Sequence, residues 1–189
     1  MGVLILGLAV FLGAHLFTRA RDARARLIAR LGETPYKIAY ALVSALGLVL
    51  IVVGYRAAPF VEIWAPPAWT RHLVITLMWP AFVLLVAAYL PGNIRAKAKH
   101  PMLAALKLWA TAHLIANGDL ASMLLFGSLL AYGVVARILL KREERKNPPV
   151  VRKGSWQNDV IALLIGTALY ALTGAFLHPI LIGVPAFTL

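Results

Sequence analysis

The sequence predicts an all-α, polytopic membrane bundle of six transmembrane helices, with both termini on the outer, periplasmic side. Three observations lead there. The 189-residue chain is 61% hydrophobic with a mean hydropathy of +0.82, and only 14% of its residues are charged, against about 25% in a soluble domain. The apolar residues gather into six runs, about 1–18, 35–58, 72–90, 101–117, 120–140 and 159–178, each near the roughly 17–25 residues that cross a hydrocarbon core. The charges lie between the runs and are lopsided. The links after the first, third and fifth runs hold six, three and seven of the 19 basic residues, with Lys37 and Arg137 counted as flanks. The opposite side holds only Arg56 and Arg71. Basic links stay in the cytoplasm, which sends both termini outside. Residues 1–189 read as one transmembrane domain.

Each run has its own punctuation. The first begins at Met1 with no positive residue before it and ends at Arg19, Arg21, Arg24, Arg26 and Arg30, the pattern of a retained helix rather than a cleaved signal. The second opens at Thr34-Pro35, where threonine can cap and proline suits the first helical turn. Trp64, Pro66, Pro67 and Trp69 then form an interfacial link. The third run contains Pro80, expected to kink it, and ends at Pro91-Gly92. Arg95, Lys97 and Lys99 lead into the fourth. Gly118 in a left-handed cap and Asp119 as the next N-cap would join the fourth and fifth runs in a tight hairpin. A polar loop, 141–158, carries Pro148-Pro149 and Trp156, and its KREERK stretch reads as a solvated helix end. Pro179 and Pro185 break up the tail. Ala41, Ser44, Ala45, Gly47, Gly166 and Gly174 are candidate close-packing positions.

Composition removes several function classes. The net charge of +12 could suggest nucleic acid, but basic residues that flank apolar spans serve topology and phospholipid contact first. No cysteine is present, which excludes disulfides, thiolate metal sites, covalent haem attachment and cysteine nucleophiles. Glu62 falls in an external link, so no transmembrane carboxylate pair exists for acid–base work. Histidine remains, five times.

The fourth run concentrates the polar chemistry: His100, Lys107, His113, Asn117 and, just beyond, Asp119. Ionisable groups in hydrocarbon cost a few kcal/mol each and face a bundle interior, a cavity or a cofactor. His113 lies about 12 residues, roughly 18 Å, into its helix, too deep for a short imidazole to reach the interface, with Trp109 one turn earlier and Asn117 one turn later. A low-polarity setting favours the neutral imidazole, the ligand form, so a functional role outweighs a simple interhelical hydrogen bond. His15 lies near the first arginine cluster, and spacing alone favours an interfacial histidine over a metal or haem ligand. His100 is 13 residues from His113, about 220° around the helix, so the two do not share one metal. Lys107 is balanced between a buried cation facing a site and a stem that snorkels to water. Asn117 and Asp119 read first as caps. His72 and His178 are interfacial span ends.

Four blocks then carry a family likeness: LILGLAVFLGAH, RLGETPYKIAYALVSALGL, WAPPAW and HPMLAALKLWATAHLIANGDLASMLLFGSLLAY. Together they resemble the NnrU family of bacterial membrane proteins, related to the plant 15-cis-zeta-carotene isomerase, over nearly the whole chain. The resemblance implies a multi-pass protein of the bacterial inner (cytoplasmic) membrane that binds haem b, with His15 and His113 as iron ligands; Trp109 and Asn117, one turn either side of His113, are then candidates beside the cofactor. It implies His100 as a further functional position, with Lys107 as a candidate beside it. An activity it implies is haem-dependent cis–trans isomerisation of a polyene such as a carotenoid. The alternative is a non-enzymatic factor supporting denitrification, through expression or assembly of nitrite and nitric oxide reductases. The expected partners are the lipid bilayer, a hydrophobic polyene and respiratory or denitrification proteins, without nucleic acid; the oligomeric state is open. The Lys99-His100-Pro101-Met102 stretch is faintly similar to the Arg-His-Pro element of membrane isoprenylcysteine methyltransferases, a third and weaker reading.

Overall fold

The structure, a computed structural model, describes residues 1–148 and 154–187; Pro149 of the expected Pro148-Pro149 break lies outside them. The described residues form α1 (Gly2–Phe17), α2 (Arg21–Leu31), α3 (Glu33–Arg56), α4 (Thr70–Ala87), α5 (Asn93–Ala98), α6 (Pro101–Ala116), α7 (Leu120–Lys146) and α8 (Trp156–Leu172). A π-helical turn, Thr173–Leu177, runs from α8 into α9 (His178–Ile182). No strand is found among the described residues, only isolated bridges such as Glu62 with Asp119.

Four of these helices are long and apolar enough to cross a membrane: α3, α4, α7 and the continuous Trp156–Ile182. A fifth is counted if α1 and α2, which meet at 89°, form one broken span. The expectation of six spans is met in part. The sixth candidate, α6, has 16 residues, about 24 Å of helix at about 1.5 Å per residue, which is short for a core of roughly 30 Å.

The chain divides into two compact units, residues 1–65 with 117–140, and residues 66–116 with 141–189. In the first unit α1 lies directly on α3 because the contact is made of glycines. A Cβ on Gly7 would sit 2.5 Å from the Ile51 backbone nitrogen, and one on Gly54 would collide with the backbone of Leu4. Small residues let apolar helices pack backbone to backbone, where lipid leaves no hydrophobic drive between them. Leu4, Leu8, Ile51 and Ala121 form the buried centre, with Phe11, Tyr55 and Leu125 packed around it. Gly47 also meets α1, at Phe11. Ala41 and Ala45, expected to pack, are exposed on the other side of α3.

Local expectations fare unevenly. The α3 helix starts one residue before Thr34, at Glu33, with Gly32 at φ 85° as its cap; this left-handed residue turns the chain sharply out of α2, so glycine does what threonine was expected to do. Asp119 caps α7 as expected, accepting from the Ser122 N–H at 2.9 Å. Gly118 is not left-handed. Its carbonyl instead accepts from the N–H groups of Ile63 (2.8 Å) and Trp64 (3.1 Å), while Leu120 N–H donates to Val61 O. The 61–64 segment thus stitches to the residues that open α7.

The second unit packs α4 against α6 and α8. Here the ties are polar. Trp79 Nε1 donates to Thr167 Oγ1 (2.9 Å) and Tyr170 OH to the Ile75 carbonyl (3.1 Å). Asp159, in the first turn of α8, accepts from Asn93 Nδ2 (2.9 Å) and from the Ile94 N–H (2.8 Å), so one carboxylate caps α5 and pins it to α8. Pro80 lies inside an uninterrupted α4. Gly166 packs on Val83 as expected, and the Phe187 ring returns to lie against Gly174 and Tyr170. The 141–158 stretch is not all loop, since α7 continues to Lys146.

Candidate functional site: two histidines of one design

His15 sits in the last turn of α1. Its Nδ1 lies 2.7 Å from the Phe11 carbonyl, one turn earlier, and its ring is 4.2 Å from the Phe11 ring. Tyr40 and Tyr132, both in the same unit, approach to 5.6 and 6.0 Å between ring centres. Thr18 Oγ1 donates to the His15 carbonyl (2.7 Å), satisfying one of the acceptors a helix end leaves open.

His113, in the last turn of α6 in the second unit, repeats the design. Its Nδ1 lies 2.9 Å from the Trp109 carbonyl, and its ring is 4.9 Å from the Trp109 ring. In both cases a histidine follows an aromatic residue by four positions, bonds that residue's carbonyl and packs on its ring. A carbonyl only accepts, so Nδ1 carries the hydrogen and the neutral ring bears its lone pair on Nε2. That tautomer and this type of anchor are what a metal-ligating imidazole requires.

Among the described residues no group of three or more His, Asp or Glu gathers to hold a bare ion. A haem iron asks for less, because the macrocycle provides four nitrogens and the protein one or two. Each of His15 and His113 offers one such nitrogen.

His100 is built differently. Lys99 has φ 58° and ψ −50°, and the His100 N–H bonds to the Ala98 carbonyl two residues back at 2.6 Å. This is the strained γ-turn of that sign, placed directly before Pro101. The His100 Nε2 meets the Glu144 carboxylate near the end of α7, and both side chains are about three-quarters buried or more, at 26% and 19% exposure. Along α6, His100 and His113 stand about 20 Å apart, as expected of residues with separate roles. Lys107 is partly buried midway along α6. Trp109 and His113 are brought together, while Asn117 begins the connection to α7 and belongs, with His15, to the first unit.

Glu144, Tyr40 and Tyr132 escape the sequence reading. Glu144 is hidden in KREERK, and the tyrosines in apolar runs. Phe11 escapes it too, although the aromatic-to-histidine spacing of four that marks Trp109 and His113 occurs there as well. His178, read as interfacial, bonds the Val184 carbonyl through Nδ1 (2.6 Å) and closes the terminal turn.

A family model described as NnrU protein matches residues 3–186. The chain belongs to the NnrU family. No curated protein and no solved structure matches it. NnrU membership therefore covers both units and every candidate histidine, and the assignment of roles rests on their geometry.

Proposed function

We propose that this NnrU chain is an inner-membrane protein that holds one b-type haem, with His15 and His113 as iron ligands, in a six-span topology with both termini outside. The observation that carries the reading is the repeated anchor: two imidazoles, each fixed by the carbonyl and the ring of an aromatic residue one turn earlier. Each anchor sets the ring's direction and keeps the lone pair on Nε2. Phe11, Tyr40 and Tyr132 around His15, and Trp109 beside His113, exclude water from the ligand nitrogens. Asn117 is proposed as a polar neighbour of the cofactor.

Bound haem would supply an iron centre able to engage a π-system. The activity we propose is cis–trans isomerisation of a polyene such as a carotenoid. In that reading His100, held to Glu144, and Lys107, partly buried along α6, are the catalytic candidates. The alternative is a non-catalytic membrane factor that supports denitrification enzymes.

An absorbance spectrum of the purified protein, oxidised and then reduced, tests the foundation. A Soret band that shifts on reduction is expected. No band, even after haem is supplied during expression, overturns the proposal. Incubation of the loaded protein with a cis-polyene then separates the two functions: conversion supports the isomerase, and haem without conversion favours the membrane factor.

A further inference from the structure

Beside the His15 site, with which it shares Tyr40, the first unit carries a groove of about 310 Å³ where α1, α2 and α3 meet. Leu27 and Leu31 of α2 and Tyr36, Ala39 and Val43 of α3 are among its walls. The floor is apolar. The rim is not.

The α2 helix turns away from α1 at 89° and presents Leu27 and Leu31 to the groove. Arg21, Arg24, Arg26 and Arg30 occupy the same short helix. A polar helix that lays one leucine edge against apolar surface and surrounds it with arginine is the pattern of a segment lying in the membrane interface. Arg24 places its guanidinium carbon 5.7 Å from the centre of the Tyr36 ring. Tyr36 is only 6% exposed, and its hydroxyl, like the buried Nε of Arg19 at the α1–α2 corner, has no hydrogen-bond partner in the protein. A buried hydroxyl and a buried guanidinium nitrogen left without partners each cost free energy. Both are donors: Tyr36 lines the groove beneath Arg24, and Arg19 follows the wall residue Phe17 by two positions.

We infer that this groove is a binding site for an anionic phospholipid. One acyl chain lies along Leu27, Leu31, Ala39 and Val43, and the phosphate meets Arg24 and Arg19 and accepts from the Tyr36 hydroxyl. A zwitterionic lipid offers the same chain but brings a cation to an arginine-lined rim, so charge complementarity selects the anionic one. The site is independent of the haem reading, since lipid retention is measured whether or not haem is bound.

The test uses the full chain in detergent micelles, mixed with equal amounts of phosphatidylglycerol and phosphatidylcholine of identical acyl chains, with retained lipid counted by native mass spectrometry. Phosphatidylglycerol is expected in excess. Arg19→Gln with Arg24→Gln should lower that excess by roughly tenfold, and Ala39→Trp, which fills the groove and keeps the charge, should also reduce it. The pair Arg142→Gln with Arg145→Gln removes as much charge from the exposed end of α7 and should leave the preference intact. Glycerol phosphate, the headgroup without chains, should not displace the lipid. Equal retention of the two lipids by the unsubstituted protein overturns the inference, as does an equal loss in the two arginine pairs, which would mark bulk charge alone. Circular dichroism on each variant confirms that helix content is retained; Tyr36→Phe, which removes only one oxygen, provides a second reading if the arginine variants do not fold.

Discussion

The two units of this protein hold their helices together by different means while carrying the same histidine design. In the first, α1 meets α3 through glycines, and shape does the work. In the second, α4 and α8 also meet at a glycine, Gly166 on Val83, but α4, α5 and α8 are tied as well by side-chain hydrogen bonds, donated by Trp79 and Tyr170 and accepted by Asp159. Yet His15 and His113 are anchored alike, each to the carbonyl and ring of the residue four positions earlier. A local device that recurs on unlike scaffolds belongs to the histidines, and under the proposed function to the haem they would hold, rather than to the packing around them.

The sharpest way to break that comparison is to remove each histidine in turn. Under the proposed function, His113→Ala should lower haem content per protein by at least tenfold, the lower end of the roughly 10–100-fold typical for loss of supporting groups around a metal. If His15 is an equal ligand, His15→Ala should do the same. If it retains haem but converts the spectrum from six- to five-coordinate, the two sites share a design without sharing weight. Haem content and spin state, read by absorbance, decide between these. Full retention of haem in both variants would reject the ligand assignment.

Next in size are the scaffold changes, which should separate the units. Asp159→Ala strands two donors, Asn93 Nδ2 and the Ile94 N–H, at a cost of about 1.5–3 kcal/mol for hydrogen bonds to a charged acceptor. Asp159→Asn keeps an acceptor and should recover part of it. Gly54→Ala puts a methyl into the Leu4 backbone and should cost about 1–3 kcal/mol by overpacking. Thermal melts of both variants in one detergent supply the comparison. The contrast between units holds if Gly54→Ala is not rescued by polar substitutions nearby and Asp159→Ala is rescued by asparagine.

Much of this was legible in the sequence, and the boundary between what was and was not is physical. Helix spans follow from apolar runs and from proline and glycine punctuation, so α3 and α4 fall close to their expected limits and α7 starts where expected, at Leu120, though it runs on to Lys146. The Trp109–His113 pair could be read because residues four apart share a helix face. By contrast, α2 read as a basic link: its leucines are too few for a span, and only the 89° bend reveals that they have a groove to cover. Glu144 sat inside a charge run that is solvated in most helices, and its pairing with His100, 44 residues away, is tertiary information. Asp159 was placed at a span start, but its grip on α5 depends on a helix that a six-residue basic segment does not announce.

The smallest expected effect tests whether the first unit is held by shape alone. Tyr55 OH and Ser122 Oγ lie 2.8 Å apart and tie α3 to α7; Ser122 is fully buried. Tyr55→Phe leaves the ring in place and removes one partner. The Ser122 hydroxyl loses its partner, and about 0.5–1.5 kcal/mol is expected. Ser122→Ala should cost a similar amount, and the double variant little more than either, because both remove the same bond. A loss well above that range would mean that the first unit also relies on a polar lock, and the division between a shape-held and a hydrogen-bonded unit would then collapse into a difference of degree.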